Sequence, residues 1–191
     1  QIFVLSKISW DFTISDISKT WVVNNIDNVI SSYIRSWFEI PINGTLDILT
    51  LSSNNFGIAL ILPSQKFIQC QITKRNILRT SLNGDIKSLY HSTTNSTNLQ
   101  FDKFRNGKEY IESYRKDKQD RVTNVLKNQG FILTSILENG LKYAKPIWSL
   151  MQQSLPKNIY SFSLRYLNNT LATKNNLALW NLVANNECSF C

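Results

Sequence analysis

Residues 18–40 show the clearest pattern of apolar and polar positions in the chain. Apolar side chains recur there at three- and four-residue spacing and fall within about half of a helical wheel, which is typical of an amphipathic helix. The apolar half comprises Val22, Val23, Ile26, Val29, Ile30, Tyr33, Ile34, Trp37 and Phe38. Asn and Ser residues and one cation, Arg35, cover the other half. Ser18 can cap the start of this helix, and Pro41 ends it.

The rest of the chain also favours helices, with one exception. Residues 56–62 form a short apolar run before Pro63, which predicts either a strand or a buried extended segment. Further helices are predicted over residues 64–82, 85–93, 108–129, 157–169 and 173–183. The helix over 64–82 has apolar residues all around its wheel, so we expect neighbours on several of its sides. The predicted fold class is therefore mainly α.

Two of these helices carry apolar stripes with specific consequences. Between residues 108 and 129 the stripe is interrupted at Lys118, so we expect only the C-terminal half, which includes Val122 and Val125, to dock firmly. In the helix over 157–169, one side holds Ile159, Phe162 and Tyr166, and Arg165 lies on the other.

The charge distribution indicates which segments form a basic surface. The chain has 21 Lys plus Arg against 13 Asp plus Glu, for a net charge of +8. All of this excess lies in two blocks without an acid, as expected of surfaces that meet a polyanion. Residues 48–84 contain Lys66, Lys74, Arg75 and Arg79, and residues 139–186 contain Lys142, Lys145, Lys157, Arg165 and Lys174. A basic surface that serves only solubility is the alternative.

The region between these blocks is different. Residues 108–121 contain five bases, but four acids nearly balance them, and Glu112 with Lys116 is a favourable i,i+4 pair. We interpret this segment as a solvated helix rather than a nucleic-acid site.

Candidate catalytic chemistry is sparse. The sequence has no glycine-rich phosphate loop, no GxSxG elbow and no paired-aspartate motif of a polymerase. We interpret His91 as a surface residue at a helix end and Cys70 as a core residue. Four tryptophans, Trp21, Trp37, Trp148 and Trp180, are expected in the core rather than as base-stacking platforms.

The cysteines and the hydropathy pattern indicate a compartment. Three cysteines cannot form a disulfide scaffold, which favours a reducing, intracellular environment in the cytoplasm or the nucleus. No window of 18 residues is free of charged and strongly polar side chains, and the first apolar run is too short for a secretory leader. We therefore expect no membrane partner. The chain begins with Gln1 rather than Met, and we expect it to be a fragment of a longer protein.

Cys188 and Cys191 form the one motif with metal-ligand spacing. Two thiolates three positions apart can hold one zinc ion from a tight turn and supply half of a tetrahedral site. A His and a further Cys would have to follow residue 191, so no cofactor is expected in these residues alone. A redox pair is a second interpretation, and a pair without chemistry is a third.

The order of several short motifs resembles a known family. The sequences RSWFEIP at 35–41, NFGI at 55–58 and LPS at 62–64 are similar to the thumb of reverse transcriptases from retrotransposons that lack long terminal repeats. LPK at 155–157, RYLNNTL at 165–171 and CSFC at 188–191 look like the linker that enters the zinc knuckle of such elements, most of all in the branch with a restriction-like endonuclease. Asn55 and Ala172 depart from the family pattern, which has Gly and Pro there.

The resemblance implies an organisation and a function. A helical thumb bundle with a short extended segment would occupy residues 1–100, a helical linker 101–187 and a truncated zinc knuckle 188–191. The palm with its catalytic aspartates would precede residue 1 and the endonuclease would follow residue 191, so the resemblance implies no enzyme activity for this fragment on its own.

The resemblance also implies that the fragment binds RNA and DNA, as the template–primer duplex and the element RNA. The implied phosphate contacts are Arg35, Lys66, Lys74, Arg75, Arg79, Lys157, Arg165 and Lys174. A basic helical module that binds an acidic protein, from a decayed or domesticated element, is the alternative function.

Overall fold

The computed structural model describes residues 2–94, 99–139 and 148–187, and this part of the chain is mainly helical, with no strand. The predicted fold class is confirmed.

Two helices each contain a π-helical segment. Residues 19–38 combine Lys19–Val22, the π segment Val23–Asp27 and Asn28–Phe38. Residues 107–125 combine Gly107–Asp120 and the π segment Arg121–Val125. In chain order the helices are α1 (Ile2–Ile14), α2 (19–38), α3 (Asp47–Thr50), α4 (Pro63–Thr80), α5 (Gly84–Ser92), α6 (107–125), α7 (Lys127–Glu138), α8 (Trp148–Ser154), α9 (Lys157–Leu167) and α10 (Lys174–Leu179).

The predicted helix ends have clear physical causes. The hydroxyl of Ser18 accepts a hydrogen bond from the backbone N–H of Trp21 at 3.1 Å, as expected for the cap of α2. Asn83 caps α5 in the same way, through Asp85 N–H at 2.8 Å. At the other end of α2, Glu39 adopts a left-handed conformation with φ 54°, which stops the helix just before Pro41.

The chain forms two compact units that interleave along the sequence. The first comprises residues 1–31 and 59–117, and the second comprises residues 32–58 and 118–191. The predicted division into residues 1–100, 101–187 and 188–191 rests on the family resemblance and stays a prediction.

Helix α4 forms the centre of the first unit. It packs against α1, α5 and the N-terminal part of α2, so the expectation of neighbours on several sides is confirmed. Phe12 of α1 meets Phe67 of α4 edge to face at 5.7 Å between ring centroids. The buried core of the unit consists of Phe12, Val22, Phe67, Ile68, Cys70, Ile72 and Phe101.

A buried carboxylate joins α2 to the start of α4. Pro63 has no N–H, so Ser64 provides the first free backbone donor of α4, and Leu62 before it supplies no side-chain cap. Asp27, the last residue of the π segment, accepts that N–H at 2.9 Å and is itself buried. A negative charge at a helix N-terminus is favourable, which explains a carboxylate at this position.

The second unit has a core of its own, made of Ile48, Leu51, Val122, Leu133 and Leu167. Close backbone approaches shape it: a Cβ on Gly130 would collide with the Val122 carbonyl, and one on Gly57 would collide with the Leu51 carbonyl. Residues 57–62 form neither a helix nor a strand and are mostly half-buried, and Ala59 within them is left-handed with φ 55°, so the segment is irregular rather than uniformly extended.

The expectation for α6 is wrong in two respects. Ile111 is buried, so the N-terminal half docks as well, and Val125 is largely exposed. Lys118 does not interrupt the docking face, because its ammonium lies 2.7 Å from the buried carboxylate of Asp47. The π segment at Arg121–Val125 changes the register of the helix, which turns Val122 inward and Val125 outward.

Within the described ranges, no helix is both long enough and apolar enough to cross a bilayer.

Candidate nucleic-acid interface

Helix α4 carries four of the predicted phosphate contacts and no acid. One of them is internal. Arg75 is only 3% exposed, and its Nε and Nη2 donate to the two carboxylate oxygens of Asp102 at 2.7 and 2.6 Å. The guanidinium lies over the ring of Tyr90 at 4.7 Å, and the Tyr90 hydroxyl donates to Asp102 at 3.0 Å. The structure therefore places Arg75 in an internal ion pair, away from the surface where the sequence predicts a phosphate contact.

The electrostatics of this pair are mutual. The hydrogen bond from Arg75 holds the pKa of the Asp102 carboxyl below its usual range, with further help from Tyr90 and the charge of Arg79. The hydrogen bond to Asp102 in turn raises the pKa of Arg75. Asp102 balances the charge of Arg75, although the buried Nη1 of Arg75 has no hydrogen-bond partner among the described residues and Arg75 lines the cleft that also contains Lys74.

Lys66 and Lys74 lie in two different clefts of the first unit. Lys66 lines an open cleft of about 540 Å³ together with Lys108, and none of the lining residues is acidic. Lys74 lines a cleft of about 430 Å³ together with Lys19 and one acid, Asp16. The structure thus gives each predicted lysine a second lysine that sequence reasoning missed.

The missed lysines had weak signals in the sequence. Lys108 lies beside Glu109 and pairs loosely with Glu112 at 3.9 Å, so its segment looked neutral. Lys19 lies in residues 1–47, which contain five acids and only three bases, and only the fold brings it beside α4.

Arg79 and Lys66 remain on the surface of α4 with neutral partners. Arg79 is exposed and donates to the amide oxygen of Asn76 at 2.9 Å, and Lys66 donates to that of Gln69 at 3.1 Å. Within the described part of the chain, neither these two cations nor Lys74 forms an ion pair.

Arg35 of the second unit serves the fold. Its Nη1 donates to the carbonyls of Pro41 at 2.6 Å and Gly44 at 2.7 Å, which closes the turn after α2. Burial lowers the pKa of its guanidinium. The sequence predicted Arg35 as a solvent-facing cation on the polar half of α2. In the structure it is half-buried, and its Nη1 stabilises the loop by donating to two backbone carbonyls.

Arg165 is also engaged, whereas two lysines of the second unit are not. Arg165 Nη2 lies 3.1 Å from the carboxylate of Glu39. Lys157 at the start of α9 and Lys174 at the start of α10 are exposed, and neither has an ion-pair partner among the residues described. These two lysines remain the predicted contacts of this unit that can meet an external anion.

The remaining candidates are only partly described. Cys188, Cys191, Lys142 and Lys145 lie outside the described residues. The residues that are described contain no group of three or more His, Cys, Asp or Glu arranged to hold a metal ion. Cys70 is buried and His91 is exposed near the end of α5, as expected of both.

The expectation that the tryptophans lie in the core is wrong for Trp37 and Trp21. Trp37 is 57% exposed, and Trp21 is about half exposed. Trp180 is half-buried, and the side chain of Trp148 lies outside the described residues. An ideal wheel assumes a constant turn per residue, but the π segment at Val23–Asp27 rotates the residues that follow it. This rotation leaves Ile34 inside and turns Trp37 out.

Comparison of the chain with protein-family models, with curated proteins and with solved structures finds no match.

Proposed function

We propose that this chain is a nucleic-acid-binding thumb and linker region of a retrotransposon reverse transcriptase, of the kind that lacks long terminal repeats. It holds the template–primer duplex of RNA and DNA through phosphate contacts. One observation carries the binding role: Lys66, Lys74 and Arg79 of α4 have no carboxylate partner among the described residues, whereas Arg75 of the same helix has one.

Uncompensated cations are the residues that a polyanion can use. A cation in an exposed ion pair must separate from its carboxylate before it binds a phosphate. A lysine without such a partner loses only water and counterions. Each phosphate that such a cation neutralises releases condensed counterions, so binding weakens as salt rises. Contacts to phosphate carry no sequence information, so the proposal includes little sequence preference.

A salt titration with an RNA–DNA duplex tests this proposal. The slope of log K against log salt should become shallower by about 2–3 in the variant Lys66→Gln/Lys74→Gln/Arg79→Gln, at about 0.9 per lost contact. The matched control is Lys87→Gln/Lys103→Gln/Lys116→Gln, which removes the same charge from exposed positions of the same unit. Equal slopes for the two triple variants would contradict the proposed contacts, and absence of binding at low salt would contradict the function.

The alternative function, a basic module for an acidic protein, predicts a different ranking of ligands. Large exposed apolar side chains such as Trp10 and Phe131 favour it, because protein interfaces use them. The same titration therefore includes an acidic polypeptide of equal charge density. If this polypeptide binds more tightly than the duplex at equal salt, the chain is a protein-interaction module.

The zinc expectation belongs to the same proposal. Cys188 and Cys191 supply two thiolates, which leave a zinc ion with half of its preferred shell. Buried Cys70 is not available as a third ligand. We expect weak zinc binding by this chain, lost in Cys188→Ser, with no effect on the salt dependence of duplex binding.

A further inference from the structure

The second unit contains a surface groove of about 280 Å³ between the end of α2, α8 and the start of α9. Its lining residues are Trp37, Phe38, Gln152, Leu155, Lys157 and Tyr160. Trp37 is 57% exposed, and the ring of Tyr33, one helical turn earlier, lies 6.0 Å from it between centroids and is exposed to the same extent. Two neighbouring aromatic rings in water are costly to leave uncovered, which suggests a binding role.

The fold fixes this aromatic surface from beneath. Ile34 is buried between the two exposed aromatic positions and anchors this part of α2. The hydroxyl of Ser161 donates to the Phe38 carbonyl at 2.6 Å, and the rings of Phe38 and Tyr160 lie 5.9 Å apart. These contacts hold the start of α9 against the end of α2, so the groove is preformed.

The charges at the groove favour an anionic partner. Lys157 is exposed at its edge without an ion-pair partner among the residues described, and none of the six lining residues is acidic. Within the groove region itself, the exposed rings of Tyr33 and Trp37 are thus combined with one exposed cation, Lys157. Aromatic faces interleaved with cations are the recognised composition of surfaces that bind single-stranded nucleic acid.

We propose that this groove seats an unpaired nucleobase of a single strand, stacked on Trp37, with Lys157 at the adjacent phosphate. The proposal rests on the proposed nucleic-acid function and adds a single-strand site to the duplex contacts of the first unit. Stacking tolerates any base, because every base presents a π face. A base that is paired in a duplex cannot reach the groove, so this site distinguishes single strands from duplexes.

The test compares Trp37→Leu with Trp10→Leu, the same substitution at a somewhat more exposed tryptophan of the first unit, which is 68% exposed. The probes are a mixed-sequence DNA strand of about 12 nucleotides and the RNA–DNA duplex of the same length. We expect Trp37→Leu to weaken binding of the single strand about 5- to 150-fold, the range for loss of one stacked base, and to leave duplex affinity within about twofold. Trp10→Leu should change neither affinity.

A second variant keeps the proposal testable if Trp37→Leu loses its helical circular dichroism. Lys157→Gln should weaken single-strand binding and reduce its salt slope by about 0.7, whereas Lys87→Gln should not.

If Trp37→Leu and Trp10→Leu bind the single strand equally well, the groove is not a base site. Duplex binding that persists in this case would leave the proposed function standing. If neither probe binds at low salt, both proposals fall. A change in oligomeric state, or in binding of the acidic polypeptide, that is confined to Trp37→Leu would assign the groove to a second copy or a protein, and would overturn the single-strand site.

Discussion

Helices α4 and α9 place their apolar and charged residues in opposite ways. Helix α4 buries Phe67, Ile68 and Ile72, and its two lysines form no ion pair among the described residues. Helix α9 exposes the stripe of Ile159, Phe162 and Tyr166, while its only arginine is half-buried beside Glu39. Both helices were predicted to supply phosphate contacts, α4 through four cations and α9 through Lys157 and Arg165.

The difference shows what a helical wheel can and cannot establish. Helix α9 has two apolar stripes, and the one that the neighbouring elements cover contains Tyr160, Leu164 and Leu167. Ser161 lies within the covered stripe and bonds to the Phe38 carbonyl, so a polar residue helps to decide which side faces inward. The wheel identifies residues that share a face, but the neighbours determine which face is covered.

The largest effect should come from breaking the internal ion pair of α4. Arg75→Gln leaves the half-buried Asp102 carboxylate without its charged partner, and we expect a loss of about 3–5 kcal/mol of unfolding free energy. Arg79→Gln, one turn away on the same helix and exposed, should change stability by less than about 0.5 kcal/mol. Urea unfolding measures both. Similar small losses in the two variants would show that the Arg75 pair is solvated, and would restore Arg75 as a phosphate contact.

A second prediction tests which stripe of α9 is covered. Leu164 is 1% exposed and Phe162 is 50% exposed. Leu164→Ala should cost about 2–5 kcal/mol, whereas Phe162→Ala should cost less than about 1 kcal/mol despite the larger side chain that it removes. Thermal unfolding of the two variants checks the order. A reversed order would mean that the exposed aromatic stripe is the packed one.

The sequence predicted α2 and α4 because helix signals are local, but it did not predict α1 or the break near Leu126 that separates α6 from α7. Ser18 caps α2 through the N–H of a residue three positions away, and the apolar spacing that predicted α2 repeats within a few turns. Asn83, which caps α5, was not predicted as a cap. The two π segments were not predicted, because a π segment differs from an α-helix by one extra residue per turn and leaves no distinct hydrophobic period. That local difference was enough to place Trp37 and Val125 on the wrong side.

The candidate site was less predictable because ion pairs are long-range. Asp102 lies 27 residues from Arg75, so the acid-free block over 48–84 is not acid-free in space. Asp47 and Lys118, which lie outside both blocks, pair across 71 residues. Arg165 lies in such a block and nevertheless meets Glu39. Counting charges along the chain therefore found the basic segments, but it could not separate the free cations from the paired ones.

The pH dependence of the unfolding free energy should distinguish the paired carboxylate of Asp102 from an exposed carboxylate. Because the pKa of Asp102 is lowered in the folded chain, its contribution is complete above the ordinary aspartate pKa of about 4 and is lost as pH falls through the lowered value. The stability difference between the natural chain and Asp102→Asn should be constant from about pH 7 to about pH 5 and should shrink below that. Asp85→Asn, which removes an exposed acid of α5, is the control and should show little such change. A stability difference near zero at pH 7, or one that does not shrink at any pH below the ordinary aspartate pKa more than it does for Asp85→Asn, would contradict the charge-assisted pair.

The smallest loss of unfolding free energy is expected at Trp37, because this large side chain contributes little to the stability of the fold. Trp37→Ala should cost less than about 1 kcal/mol, since more than half of the ring is already in water, whereas the pattern of α2 predicted a buried ring and thus a cost of about 3–5 kcal/mol. Ile34→Ala, three residues earlier and buried, is the matched control and should cost about 2–5 kcal/mol. Urea unfolding without nucleic acid gives both values. If Trp37→Ala loses as much stability as Ile34→Ala, the ring is part of the core and cannot receive a base. If the loss is small, the ring is held at the surface by its neighbours and is free to stack on a ligand.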